Sequence, residues 1–155
     1  FNTDATLLER AEAYALSGQY DKAVNDINAE LSVFTKKKTQ LTLDEIVDFY
    51  GSLAYYTPTK PTPKKALNPL FTIEKTTQEP LLQCILQLRR LLTMHEGFRL
   101  QDVKRYGITM YRRQVDVQSN VTAVTDSMKT GDPRLAIQLP QDVISAGVTP
   151  NPRNK

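Results

Sequence analysis

Residues 89–107 read Arg-Arg-Leu-Leu-Thr-Met-His-Glu-Gly-Phe-Arg-Leu-Gln-Asp-Val-Lys-Arg-Tyr-Gly, and they say more about the architecture of this chain than any other segment. Their apolar spacing predicts a helix that carries Arg89 and Arg90 and ends near Glu96. Gly97 permits a sharp change of direction, after which the apolar spacing resumes toward a core. The segment therefore predicts two helices that meet at a glycine.

Charged side chains on both sides of this glycine are close enough in sequence to pair. Glu96, Arg99 and Asp102 fall within reach of one another in such a turn. Arginine–carboxylate pairs commonly fasten helix ends, so an ion-pair network that fixes how the two helices meet is the favoured interpretation. A polar site that binds a ligand is the alternative.

The same segment resembles the C-terminal signature of the SusD/RagB family, surface lipoproteins that capture glycans and pass them to a TonB-dependent outer-membrane transporter. That family typically shows the run Arg-Arg-x-Glu-Leu-x-Phe-Glu-Gly-x-Arg-x-x-Asp-x-x-Arg-Trp-Gly. The residues kept here are Arg89, Arg90, Glu96, Gly97, Arg99, Asp102, Arg105 and Gly107. This chain departs from the run at Leu92, where an acidic residue is usual, at His95, and at Tyr106, which replaces the tryptophan.

The end of the chain supplies a second match in the expected order. Residues 132–144 read Asp-Pro-Arg-Leu-Ala-Ile-Gln-Leu-Pro-Gln-Asp-Val-Ile, and Asn151 and Pro152 follow. This ending resembles the family's closing Ile-Pro-x-x-Glu-Ile and Asn-Pro pattern. The two matches lie at the separation that the family shows.

The resemblance implies a role for the whole chain. It implies that residues 1–155 are the C-terminal part of a SusD-like helical domain, with a signal peptide and a lipidated cysteine upstream. It also implies an oligosaccharide and a SusC-like transporter as partners, a place on the outer-membrane surface through that lipid alone, and neither catalysis nor a cofactor. The ligand-contacting residues of that family vary and lie mostly earlier in the chain, so none is assigned here.

Length and composition are those of a globular domain. The chain has 155 residues, of which 40% are hydrophobic and 24% charged. It opens on Phe1 without an initiating Met or a leader-like segment, and it contains no apolar run of about 18 residues. We therefore expect a processed chain or a fragment of a longer protein.

The net charge of +3 is only weakly basic. The local excess comes from Lys36, Lys37, Lys38, Lys60, Lys64 and Lys65. Because these lysines fall in connections rich in Pro and Thr, the pattern predicts solvated loops and argues against a nucleic-acid interface.

The first part of the chain predicts a helical hairpin. Residues 6–17 carry apolar side chains at helical spacing, Gly18 ends this helix, and Tyr20 starts the next. Residues 1–34 thereby resemble one tetratricopeptide unit, in which small residues let two helices approach closely. One hairpin of this kind needs further helices to cover its apolar face.

Two more helices are expected on either side of a long connection. A capping box of Thr42 and Glu45 predicts a third helix to about Tyr56, and its buried face should comprise Ile46, Phe49, Tyr50 and Leu53. Prolines interrupt residues 57–78, which predicts a loop. Thr77 should cap the fourth and most apolar helix, and the signature helices should fill residues 79–107.

Beyond Gly107 the pattern changes to alternation. Residues 108–117 and 134–139 alternate apolar and polar side chains, which predicts a small antiparallel sheet. Pro140 should start a short helix through Ser145, and the tail from Thr149 should be extended and loosely held. The expected fold class is mostly α, with a tetratricopeptide-like hairpin, packed helices and a small antiparallel β element near the C-terminus.

Few residues suggest catalytic chemistry. His95 is the only histidine, and Cys84, the only cysteine, lies among apolar residues of a helix, which predicts a buried, inert thiol. The sequence shows neither a Gly-rich phosphate loop nor a metal-ligand spacing. Tyr55, Tyr56 and Phe71 offer aromatic rings that could bind a sugar, although tyrosines at helix ends more often cover a core. We expect a protein that is not an enzyme.

The favoured hypothesis is a non-catalytic, SusD-like nutrient-binding lipoprotein in which these residues supply scaffold and part of the transporter-facing surface. An adaptor of tetratricopeptide type is the alternative, with a groove for a partner peptide formed by the hairpin and the following helix. A carbohydrate-active enzyme whose catalytic part lies outside these residues is the third possibility. Upstream sequence separates them, since a lipidatable cysteine favours capture and tandem repeats of about 34 residues favour the adaptor.

Overall fold

The computed structural model describes residues 3–36 and 40–153 of the chain. The α-helices in this part are α1 (Thr3–Leu16), α2 (Tyr20–Phe34), α3 (Leu43–Ser52), α4 (Gln78–Leu92), α5 (Arg99–Arg105) and α6 (Gln141–Ser145). The strands β1 (Met110–Val115) and β2 (Val121–Met128) pair antiparallel. The fold is mostly α with a small antiparallel sheet near the C-terminus, which confirms the predicted class. The start of the hairpin and two of the loop lysines, Lys37 and Lys38, lie outside the described residues.

Helices α1 and α2 form a hairpin across Gly18, whose φ of +76° lies in the left-handed region that glycine adopts without strain. Small side chains line their interface, and Ala11, Ala15 and Ala23 are fully buried there. Arg10, which is exposed, donates two hydrogen bonds of 2.8 and 2.7 Å to the carboxylate of the buried Asp26. This geometry is compatible with the tetratricopeptide-like unit, which stays a prediction.

Helix α4 is the centre of the molecule, as its apolar sequence predicted. Leu81, Leu82 and Ile85 have no exposed surface, and both α1 and α3 pack against this helix. The amide of Gln78 donates a 2.9 Å hydrogen bond to the carbonyl oxygen of Ala15, so the start of α4 is fixed to the end of α1.

Of the two predicted helix N-caps, one is confirmed and the other was wrong. The capping box is confirmed, because Thr42 Oγ1 accepts a 3.2 Å bond from the Glu45 amide and the Glu45 carboxylate accepts a 2.8 Å bond from the Thr42 amide. At α4 the expected cap was wrong, since the Thr77 side chain makes no capping bond. Glu74 takes its place and accepts hydrogen bonds from the amides of Thr77 and Gln78 at 2.8 and 3.0 Å.

Two helices end earlier than their sequence predicted. Helix α3 ends at Ser52 and not near Tyr56, because the backbone of Leu53 is already extended. Helix α4 ends at Leu92 and not near Glu96, and the Thr93 hydroxyl donates a 2.9 Å bond to the last turn. Phe49, which was expected on the buried face of α3, is 55% exposed.

Residues 53–77 contain neither helix nor strand, which confirms the proline-rich connection. The prediction of solvated lysines was wrong for two of its members. Lys64 is only 8% exposed, and its Nζ lies 4.5 Å from the ring centroid of Tyr55. Lys65 Nζ lies 3.6 Å from the ring centroid of Tyr56. Cation–π contacts therefore hold both side chains against the protein.

Gly107 joins this connection to the end of α5. The Asn68 amide donates a 2.8 Å hydrogen bond to the Tyr106 carbonyl oxygen, which brings the two backbones together. A Cβ on Gly107 would lie 2.2 Å from the Asn68 carbonyl oxygen, and its φ is +58°. Only glycine fits both requirements, which accounts for the glycine that closes the signature segment.

The predicted sheet exists, but its second strand was placed wrongly. Residues 134–139 are not a strand, and Pro133–Leu135 instead form a 3-10 turn whose first amide is bound by Asp132 at 2.9 Å. Leu135 is buried whereas Ile137 is 85% exposed, so the alternating residues do not share a face. The strand that pairs with β1 is Val121–Met128.

The C-terminal segment is held more firmly than expected. Helix α6 follows Pro140 and ends at Ser145, as predicted. The tail beyond it was expected to be loose, yet the Asn151 amide donates a 2.9 Å bond to the Gln138 side chain, and Gln138 Nε2 donates a 3.1 Å bond to the Asn151 carbonyl oxygen. This pair folds the tail back along the segment that precedes α6.

Candidate functional site

Three helices meet at a buried ion-pair network in the signature segment. The guanidinium of Arg89, on α4, contacts Glu12 of α1 and lies 2.7 Å from the Asp102 carboxylate of α5. Glu12 and Asp102 are only 7% and 4% exposed. Since one guanidinium bridges two buried carboxylates, the network fixes where α1, α4 and α5 lie relative to one another.

Each carboxylate of this network has further donors. The Tyr106 hydroxyl donates to Glu12, and Arg105 Nε lies 3.0 Å from the same carboxylate. Arg99 Nη1 lies 3.5 Å from Asp102. The buried acceptors are therefore satisfied, as buried charges must be.

Burial and charge oppose each other at Arg89. Burial lowers the pKa of Arg89, but its attraction to Glu12 and Asp102 raises the pKa by more. Burial, together with the hydrogen bond to Glu12, raises the pKa of Tyr106 above its ordinary value. The guanidinium thus stays charged and the phenol stays neutral, which suits a structural role and not proton transfer.

The structure brings together only some of the signature residues. Arg89, Arg99, Asp102 and Arg105 belong to the network. Arg90 is exposed, with Nη1 at 3.5 Å from the side-chain oxygen of Gln87. Two others lie in the turn. Glu96 is exposed and forms no ion pair within the described part of the chain, so its expected place beside Arg99 was wrong. Gly97 turns the backbone with a φ of +79°.

Glu12 is the network residue that the sequence did not reveal. It belongs to α1, whose buried side chains Leu8, Ala11 and Ala15 mark the face that packs on the core. A carboxylate on the apolar face of a helix is the signal that could have identified it, because such a charge requires a partner.

A groove of about 490 Å³, here called the signature groove, lies over this network. Its lining residues are Glu9, Glu12, Ala13, Leu16, Arg89, Thr93, Phe98, Gln101, Asp102 and Arg105. The ring of Phe98 is 45% exposed beside the exposed side chains of Glu9 and Gln101. This volume suits a small ligand, and an aromatic face beside polar side chains is the composition that sugar-binding sites use.

The histidine and the cysteine of the chain both lie outside the described lining of the groove. His95 is exposed and does not line the groove. Cys84 is buried, and burial raises the pKa of its thiol to about 12. An activated nucleophile needs a lowered pKa or an adjacent base, and Cys84 has the opposite environment. The predicted buried thiol is confirmed.

The described residues include neither a cluster of metal-ligand side chains nor a helix able to span a membrane. Across residues 3–36 and 40–153, histidine, cysteine and acidic side chains do not gather in threes to form a possible metal site. In the same ranges, every helix is too short or too polar to cross a membrane.

The three aromatic residues considered for sugar binding are engaged in other contacts. The Tyr55 hydroxyl donates a 2.9 Å hydrogen bond to the buried carboxylate of Glu79. Phe71 packs edge-on against Tyr106, with ring centroids 5.9 Å apart. Tyr56 is flanked by the cation of Lys65. These contacts favour a role in covering the core.

Comparison with known proteins adds no identity to this geometry. A scan against protein-family models and searches of curated proteins and of solved structures found no match for the chain. The likeness to the SusD/RagB family therefore rests on the sequence motifs alone.

Proposed function

We propose that this chain is the C-terminal part of a non-catalytic, SusD-like nutrient-binding protein that captures an oligosaccharide. The observation that carries the proposal is the signature groove. Residues of the family-like motif line this groove, and their charges are paired with one another. Arg89 and Asp102 are bound to each other at 2.7 Å. Groups that are already paired and buried can shape a binding site without doing chemistry on its ligand.

The groove offers the contacts that a neutral sugar needs. A pyranose presents a C–H face that packs against an aromatic ring, and Phe98 offers such a ring at 45% exposure. The exposed polar groups of Glu9 and Gln101 lie in the same lining and could bind hydroxyl groups. Recognition in this groove requires no charge on the ligand.

The cellular setting follows from the resemblance. In this proposal the protein lies on the outer-membrane surface, attached by a lipid on an N-terminal cysteine. It delivers its ligand to a SusC-like TonB-dependent transporter, and the present chain supplies scaffold and part of the surface that faces the transporter. A lipidatable cysteine encoded upstream, beside a transporter gene, would support this setting.

Affinity electrophoresis tests the binding. Native gels cast with a panel of neutral polysaccharides should retard the chain with at least one of them. Phe98→Ala should weaken that interaction about tenfold, because it removes the ring that packs on the sugar. Phe49→Ala is the matched control, since Phe49 is 55% exposed on α3 and does not line the groove.

Three results would count against the proposal. Unchanged mobility in every polysaccharide would remove the binding claim. Equal retardation of wild type and Phe98→Ala would place the ligand outside the signature groove. Release of reducing ends by the purified protein would contradict the non-enzymatic role.

A further inference from the structure

A second concavity of about 540 Å³, here called the cationic cleft, lies between the proline-rich connection, α4, α5 and the start of β1. Four cationic side chains from these four segments line it: Lys65, Arg90, Arg99 and Arg113. Among the described residues, neither aspartate nor glutamate lines it. Converging charges of one sign with low-dielectric walls create a strong local potential that attracts the opposite charge.

Arg113 is held in place by neutral acceptors. Its Nε donates a 2.7 Å bond to the Pro58 carbonyl oxygen, and Nη2 donates a 2.6 Å bond to the carbonyl oxygen of Thr57. Nη1 donates to the Tyr56 hydroxyl. A guanidinium has five N–H groups, so these three bonds leave two donors in a fixed orientation. The bonds position the charge but do not neutralise it.

Lys65 experiences the repulsion of this cluster. Its ammonium group lies over the Tyr56 ring at 3.6 Å from the centroid. Burial, followed by the charges of Arg90, Arg99 and Arg113, lowers the pKa of Lys65 to about 8. The side chain is still mostly protonated at pH 7, so the cleft holds several like charges.

One shared carboxylate offsets this charge only in part. Arg99 lies 3.5 Å from Asp102, whereas Arg89 is closer to the same carboxylate at 2.7 Å. Asp102 therefore serves chiefly the buried network. Arg90, which is exposed and contacts Gln87, has no acidic partner within the described residues.

We propose that the cationic cleft binds a phosphate or sulfate group, either as the free ion or as an ester on a small molecule. An oxyanion in the cleft relieves the repulsion among the cations. Its oxygens can accept charge-assisted hydrogen bonds from the two remaining N–H groups of Arg113. The tetrahedral group has enough acceptor oxygens to contact several of the converging side chains at once. This site is separate from the signature groove and does not depend on the proposed sugar binding.

Titration of the isotope-labelled chain, followed by NMR, tests the proposal. Inorganic phosphate, inorganic sulfate, glucose 6-phosphate and glucose 6-sulfate are added at constant ionic strength, with glucose as the neutral control. We expect saturable shifts at Lys65, Arg113 and Tyr56 with at least one inorganic ion or ester, and none with glucose. Tighter binding of the esters would identify a sugar ester as the source, and equal binding would identify the free ion.

Two substitutions separate a site from general attraction. Arg90→Gln should weaken binding at least fivefold, because it removes one converging charge from an exposed position that carries no part of the core. Arg112→Gln is the matched control, since Arg112 lies on the same strand as Arg113, is exposed and does not line the cleft. Equal loss in both variants would overturn the proposal.

The pH dependence gives a third measurement. Inorganic sulfate keeps its charge between pH 7 and pH 9, and the other charged groups that line the cleft are Arg90, Arg99 and Arg113. Lys65 loses its proton through a pKa of about 8, so sulfate binding should weaken as the pH rises across this window. Absence of saturation by any of the small anions would overturn the proposal, as would binding confined to single-stranded DNA with a steep salt dependence.

Discussion

Glu12 connects the hairpin to the signature segment. Glu12 is buried, and its carboxylate contacts Arg89 of α4 together with Arg105 and Tyr106 at the end of α5. Buried ion pairs are poor sources of net stability, because desolvation offsets much of the attraction, but removing one partner leaves an uncompensated charge. The network should therefore matter most for how the helices meet and for what happens when it is broken.

The variant Glu12→Gln tests this residue. It should lower the free energy of unfolding by about 3 kcal/mol, because Arg89 loses one of its two charge partners while it remains buried. Urea denaturation monitored by circular dichroism gives the value. Glu9→Gln removes the same charge one turn earlier from an exposed position of α1 and should stay within about 0.5 kcal/mol of wild type. A similar small effect for both variants would show that the network carries little stability.

Local spacing could reveal only part of this site. Arg99 and Asp102 are three residues apart on one helix, and their ion pair was predictable from sequence. Arg89 and Glu12 are 77 residues apart, so their contact depends on how α1 docks against α4. The cationic cleft was not predictable for the same reason. Lys65 and Arg113 come together there only because the proline-rich connection and β1 meet in the folded chain.

At the scale of elements, the start of α4 depends on a residue outside the helix. Glu74 accepts hydrogen bonds from the amides of Thr77 and Gln78, which lie at the beginning of α4. Helix N-termini leave such amides unpaired and favour negative charge. Hydrogen bonds from the Thr76 side chain and from the amides of Thr76, Gln78 and Thr77 lower the pKa of Glu74 to about 2.

This lowered pKa predicts the pH dependence of a cap variant. The folded pKa of Glu74 lies below its ordinary value of 4.5, so its contribution to stability is full above that value and is lost as the pH falls toward about 2. Glu74→Gln should therefore lower the melting temperature at pH 7, and the difference from wild type should shrink between pH 5 and pH 2. Thermal unfolding at a series of pH values measures it.

The control for this experiment is Glu96→Gln. Glu96 is exposed and forms no ion pair among the described residues, so its substitution should change the melting temperature little at any pH. If the difference between wild type and Glu74→Gln persisted unchanged to pH 2, the carboxylate would not be the group that caps α4.

The elements that sequence predicted well are those whose signals are local. Thr42 and Glu45 form a capping box four residues long. Gly18 ends α1 because its positive φ is incompatible with a right-handed helix. The second strand was misplaced because the turn before it was not recognised. Asp116 accepts hydrogen bonds from the amides of Gln118 and Asn120 at 3.0 and 2.8 Å, which reverses the chain into β2.

At the scale of the whole molecule, the chain divides into a helical core and a peripheral hairpin of strands. Helices α1, α2, α3 and α4 pack on one another, whereas β1 packs mainly on β2. Met110 and Met128, at one end of the strand pair, pack against the core, and side-chain hydrogen bonds add further ties. Arg113 reaches from β1 to the proline-rich connection, and Arg134 bonds the Ser127 carbonyl oxygen of β2 at 2.8 Å.

This division predicts unequal hydrogen exchange. Amides of α4 should exchange only through global unfolding, because Leu81, Leu82 and Ile85 are fully buried. Amides of β1 and β2 should exchange at least tenfold faster, through local opening of a strand pair with little apolar cover. Hydrogen exchange followed by NMR measures both rates.

The variant Arg113→Gln should speed exchange in the strands further and leave α4 unchanged, because it removes the bonds to Pro58 and Thr57. The control Arg112→Gln should change the exchange rate in neither element. Equal exchange rates in α4 and the strands would contradict this prediction, because they would mean that β1 and β2 unfold only together with the helical core.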